Sequence, residues 1–231
     1  MPRIQNNLTR PSDFENQRKF FFVACEGEKT EYRYFTKIPE SELFNNQARI
    51  EIRPIKRQSK EGNDPNSILK RLKNERKKSG NRKNDEFWGI IDRDNWQTNQ
   101  NINFDDLITQ FKTEKNFFIA ISNPCFEIWY LLHYVDLKDL PEDTLIELFK
   151  NNCVSNNKNF IDLFLGEMRS IYRKKEIGYN KYISPKELGD LIYLAIERAK
   201  ELDESNSEYP KTLGTHVYKL VEKLIKPKIE E

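Results

Sequence analysis

Three short apolar runs constrain this chain most: KFFFVAC at Lys19–Cys25, FWGII at 87–91 and FFIAIS at 117–122. Each is too brief for a helical core and lacks polar alternation, the pattern of strands buried on both faces. The segments between them read as helices and one further strand. EKTEYRYFTKI sets Tyr32, Phe35 and Ile38 at helical spacing, and ARIEIRPI at 48–55 alternates like a half-buried strand. Residues 64–78 open with an Asp-Pro helix start and carry an apolar stripe of Ile68 and Leu72. Helices are also expected over 104–115 and, strongly apolar, over 124–134. Strands alternating with helices at this spacing predict an α/β fold with a doubly wound, mostly parallel sheet.

The remainder divides by its loss of that pattern. Residues 1–18 are polar, contain Pro2 and Pro11, and read as a flexible arm; 19–135 form the α/β core. Over 136–231 the strand signal disappears, while 145–149, 160–171, 185–202 and 215–225 keep helical periodicity, predicting a C-terminal helical region. Charged residues are 33% of the chain, yet 15 Phe, 10 Tyr and 3 Trp supply enough bulk to exclude global disorder. A formal charge of +2 neither requires nor forbids a polyanionic partner, so local clusters must decide. Cys25, Cys125 and Cys153 are odd in number and widely spaced, which argues against a disulfide framework or zinc site and fits a reducing cytosol. No apolar leader or membrane-length run is present, so a soluble cytoplasmic protein is expected. The absence of a GxxxxGK[ST] loop argues against ATP hydrolysis by this chain.

Acids follow two of the buried runs. Glu26 stands at the carboxyl end of the first, where open α/β sheets bind ligands, and Gly27 permits a tight turn beside it. The third strand ends in Asp92-Arg93-Asp94, where residues two apart in an extended chain present both carboxylates to one side. Three such acids would repel one another without a cation, and an all-oxygen ligand set suits Mg²⁺ or Mn²⁺. The plainer alternative is that Glu26 and Asp92 cap the helices that follow their strands. Glu127, within PCFEIWYLL, is either a further metal ligand or an ion-paired structural residue. Ser122 and Asn123, at the fourth strand's end, either orient a phosphate or make a turn.

The strings CEGEKTEYRYF, IDRDNW, SNPCFEIWYLLHY and PKTLGTHVYKLVEKL, in that order, resemble the RloB-like (AbiLii-like) family of TOPRIM-related bacterial proteins over roughly residues 20–225. The resemblance implies a TOPRIM-like core in which Glu26 serves as general acid/base or metal ligand and Asp92 and Asp94 bind metal. It also implies a role in antiphage defence with a partner ATPase. Glu31 resembles the acid that follows Glu-Gly in OLD-type nucleases, at a spacing one residue longer. The absence of a further acid after Asp94 disfavours strand passage, and no nucleotide-binding parts for primer synthesis are visible.

Such carboxylates support metal-assisted phosphodiester hydrolysis of DNA or RNA, tRNA included, with Glu26 as the proton-transfer group. Lys70, Arg71, Lys73, Arg76, Lys77, Lys78 and Arg82, within KRLKNERKKSGNRK, offer phosphate-backbone contacts or else form a solvated helix face. Arg169, Arg173, Lys174 and Lys175 with Tyr172 form a smaller cluster open to the same two readings, and His133 and His216 read as packed histidines. A second functional class remains: a non-catalytic adaptor that docks a partner through Phe160, Leu163, Phe164 and Tyr193, with oligomerisation possible.

Overall fold

The computed structural model describes residues 18–62, 64–80, 82–93, 103–155, 158–175, 182–203 and 207–229. The arm expected over 1–18 lies outside the described residues apart from Arg18, and so does Asp94. Four parallel strands, β1 (Lys19–Cys25), β2 (Ile50–Ile55), β3 (Glu86–Asp92) and β4 (Phe117–Asn123), build the sheet in the order β2-β1-β3-β4. Their connections carry α1 (Thr30–Lys37), α2 (Pro65–Lys78) and α3 (Phe104–Thr113). The expected mixed α/β architecture with a mostly parallel sheet is therefore present.

Period-two side-chain alternation assigns each strand residue to one of two cores. Phe20, Phe22, Phe87, Ile91, Phe117 and Ile121 meet Ile68, Leu72, Leu107 and Phe111 of α2 and α3 on one face. Phe22 stacks on Phe87, and Phe87 on Phe117, at centroid separations of 5.0 and 4.9 Å. On the opposite face Phe21, Val23, Trp88 and Ile90 pack with Tyr34 and Phe35 of α1 and with α4 (Glu127–Leu131). The chain leaves β1 for its outer neighbour β2, then crosses back over β1 to β3, so the winding reverses between β1 and β3. That reversal opens a crevice at the carboxyl ends of these two strands.

The later chain is mainly helical: α5 (Glu142–Lys150), α6 (Phe160–Arg173), α7 (Pro185–Leu188), α8 (Leu191–Leu202) and α9 (Val217–Leu224). These helices share the core of α1 and α4 through Leu148, Leu165, Ile192, Ala195, Leu220 and Val221. The expected helix over 185–202 is split at Gly189, whose φ of 50° breaks the helical run. The absence of strand after residue 135 is corrected by a two-stranded ribbon, β5 (Cys153–Ser155) and β6 (Lys158–Asn159), and by β7 (Gly214–Thr215). β7 pairs antiparallel with the carboxyl end of β4, matching Ser122 with Thr215 and Asn123 with Gly214. All three cysteines are free. No helix among the described residues is long and apolar enough to cross a membrane.

His133 lies inside this shared core, 1% exposed. Its Nδ1 lies 2.8 Å from the Trp129 carbonyl, which can only accept, so Nδ1 carries the proton of the neutral ring. Burial pushes the His133 pKa down from 6.5 to about 3. The unfolded chain therefore binds this proton at a higher pH than the folded one. The resulting stability is present above about pH 6.5 and is lost as pH falls toward about 3. Thermal melts between pH 7 and 4 should accordingly show a shallower acid decline in His133→Leu than in the unaltered protein.

Candidate active site

Glu26 continues the line of β1, its backbone N–H donating to the Ile90 carbonyl of β3 at 3.0 Å. Its Oε2 accepts from the Asp92 N–H at 3.1 Å, so the two acids reached by the two apolar runs are joined at the crevice. Neither residue is the N-cap of the helix downstream. The cap of α1 is Lys29, without a side-chain cap bond, and the cap of α3 is Asn103, which accepts from the Asp105 and Asp106 N–H groups. The helix-cap alternative is thereby removed for Glu26 at α1 and for Asp92 at α3, the helices that follow them among the described residues.

Around this pair the fold assembles a cleft of about 470 Å³, lined by Glu26, Glu31, Asp92 and Glu127 among others. Glu26, Glu31 and Glu127 are 7%, 6% and 3% exposed, so these carboxylates face a confined space. Glu31 and Glu127 belong to the first turns of α1 and α4, where the positive helix ends offset part of their charge. Glu31 folds back over Gly27: a Cβ there would clash with the Glu31 carboxylate. This close approach is the physical reason for glycine after Glu26. On the far wall, Asp162 accepts from the Asn159 N–H in a capping box, and Asn151 Oδ1 accepts from the Ile161 N–H at 3.2 Å.

Neighbouring groups respond to this charge. Burial pushes the Cys25 thiol up, the Glu31 carboxylate adds to the rise, and Arg71 opposes it. Cys25 is therefore held as a thiol and is no nucleophile. At the cleft rim Arg57 donates to Glu28 at 2.7 Å, and this hydrogen bond holds the Glu28 carboxyl below its ordinary range.

The other expected site residues are distributed as follows. Ser122 and Asn123 are fully buried; Ser122 Oγ lies 2.8 Å from Thr215 Oγ1, and Asn123 donates to the Pro210 carbonyl at 3.1 Å. They brace the approach to β7 and are not set to orient a phosphate. The basic residues over 70–82 do not share one surface. Lys70, Lys77 and Lys78 are exposed, while Lys73 and Arg76 pair with Glu114 of α3 at 3.1 and 3.2 Å. Arg82 lies over the Phe20 ring, 4.5 Å from its centroid. Arg71 is corrected outright as a member of an exposed basic face, because it is 4% exposed and its Nη2 donates to the Cys25 carbonyl at 2.8 Å. In the smaller cluster Arg169 and Arg173 pair with Glu187 at 2.9 and 3.3 Å, which makes them ties between α6 and α7. His216 packs against Asp203, with Nε2 to Oδ2 at 3.2 Å.

Sequence reasoning missed Arg57, Asn151 and Asp162, which come to the cleft from distant segments with no local spacing signal. The donor chemistry of the cleft fits a hard divalent cation, since Mg²⁺ is commonly held by one or two carboxylates with waters completing its shell. Among the described residues, no group of three His, Cys, Asp or Glu is already gathered to hold a metal ion.

The fold and cleft define the class: an α/β protein with an acid-lined crevice at the switch point of a mostly parallel sheet. The family model described as RloB-like protein matches residues 21–224, and the chain belongs to that family. Comparison with curated proteins and with solved structures gave no match.

Proposed function

We propose that this protein is a metal-dependent nuclease that hydrolyses phosphodiester bonds of DNA or RNA as the effector of a bacterial antiphage system under the control of a partner ATPase. The observation that carries the reading is the junction of Glu26 with Asp92 at the crevice between β1 and β3. Mg²⁺ or Mn²⁺, held by Asp92 with Glu26 or Glu127, would supply Lewis acidity and lower the pKa of a bound water. Glu26 is the group placed to accept and return a proton at its carboxylate. The buried floor holds these carboxylates in place at the base of a cleft of about 470 Å³. Membership of the RloB-like family supports the defence role, and the need to restrain a nuclease inside its host supports control by a partner.

The direct test is cleavage of plasmid, single-stranded DNA and total tRNA with Mg²⁺ or Mn²⁺, with and without a candidate ATPase. Cleavage that disappears with chelator supports the reading. A protein that binds its partner yet cuts nothing, and whose Tm no divalent ion raises, is an adaptor instead. Gly27→Ala offers a finer check, because the new Cβ must displace the buried Glu31 carboxylate. Cleavage should fall by up to about 100-fold, and a melt of the same variant separates a displaced carboxylate from lost folding.

A further inference from the structure

Arg71 is a buried cation with no close ion pair among the described residues. It lies on the face of α2 turned toward the end of β1, Nη2 donates to the Cys25 carbonyl, and Nε has no hydrogen-bond partner. The acids that act with it from further off, Glu28, Glu61 and Asp64, are engaged elsewhere: Glu28 accepts from Arg57, Glu61 accepts from the Gln58 N–H and Asp64 caps α2. Burial pulls the Arg71 pKa down from its ordinary value. A buried charge without a close counter-ion is costly, so this position gains from an anion.

Space for that anion adjoins it. Arg71 lines a cleft of about 190 Å³ with Lys29, Lys56 and Arg57, and a second of about 470 Å³ with Arg53, Lys56 and Lys78. The two share Arg71 and Lys56, and the smaller shares Gly27, Lys29 and Arg57 with the acid cleft. The three spaces thus lie side by side, from the carboxylates across the Gly27–Lys29 turn to the end of β2, and together outline a trough. Its walls carry exposed Lys29 and Lys56 beside the fixed guanidinium of Arg71, with Glu28 tied to Arg57, Glu61 to the Gln58 N–H, and Glu75 also on the lining.

We propose that this trough is a phosphate-binding subsite that holds the backbone of a single nucleic-acid strand, with Arg71 as its fixed donor and Lys29 and Lys56 as its mobile cations. The proposal rests on the nuclease reading for the identity of the strand. A planar guanidinium presents directed donors to phosphate oxygens, whereas the lysines add charge that follows the strand. Contacts of this kind set register without reading bases, so the subsite would position a strand relative to Glu26 and Asp92 whatever its sequence. The trough, and not the outer face of α2, is where the basic segment enters function.

The test is binding of a short labelled single-stranded oligonucleotide, as DNA and as RNA, by fluorescence anisotropy in chelator at two salt concentrations. Glu26→Gln serves as the uncleaving background, and inorganic phosphate and a nucleoside monophosphate are tested as competitors. Lys56→Ala, at an exposed position with no part in the fold, and Arg71→Met should each raise Kd about tenfold and reduce the salt slope by about 0.7 per lost charge. A melt of each variant separates lost binding from lost folding, and Lys56→Ala carries the test if Arg71→Met unfolds. Unchanged affinity in folded Lys56→Ala and Arg71→Met overturns the subsite even where cleavage occurs. Variant-sensitive strand binding by a protein that never cleaves keeps the subsite and removes the nuclease reading. Phosphate or monophosphate binding at Arg71 without oligonucleotide binding assigns the site to a free phosphate and overturns the strand.

Discussion

Glu26→Gln is expected to lower metal-dependent cleavage by about 10² to 10⁴-fold, the range for loss of a positioned general acid or base. Gln retains an oxygen that can accept from the Asp92 N–H, so the junction between β1 and β3 survives. What is lost is the negative charge and the proton-accepting capacity of the carboxylate. The measurement is single-turnover cleavage with saturating Mn²⁺, beside a thermal melt of the same sample. A matching melt with collapsed cleavage separates chemistry from folding. Equal cleavage by wild type and variant would remove Glu26 from the proton-transfer role.

The largest effect on stability is expected at Trp129. Its side chain is fully buried in the core shared by α1, α4 and the later helices, edge-on to Tyr34 at 6.4 Å and against His133 at 4.8 Å. Trp129→Ala should cost about 3–5 kcal/mol, because removed apolar area is compounded by a cavity that rigid neighbours cannot fill. For a chain of this size the Tm should fall on the order of 10 °C. Calorimetry would read both quantities, and a fall of only a degree or two would mean that the helical region is loosely applied to the sheet.

The two-sided burial of its strands made the sheet readable in advance. KFFFVAC, FWGII and FFIAIS could satisfy neither a solvent-facing strand nor an amphipathic helix, and they became β1, β3 and β4. Glu26 and Asp92 were legible for the same reason, since they end those runs. Asp94, read with them, lies outside the described residues. β7 was hidden because two residues carry no period, and its place depends on Ser122 and Thr215 meeting across more than ninety positions. The inward direction of Arg71 had a signal that went unused. It stands three residues after Ile68 and one before Leu72, on the stripe that packs against the sheet. Charge suggested solvent there, whereas helical geometry dictated burial.

The pairing of β7 with β4 also sets an order of events during synthesis. β1 to β4 leave the ribosome first, yet the carboxyl end of β4 gains its antiparallel partner only when Gly214 and Thr215 have been made. At usual translation rates that interval is on the order of 5–20 s, during which the nascent sheet exposes an open edge able to pair with other chains. Production at low temperature slows both synthesis and encounter, whereas chains cut short before residue 214 would keep the sticky edge indefinitely. Aggregated fragments ending between 124 and 213 are the signature to look for in expression trials.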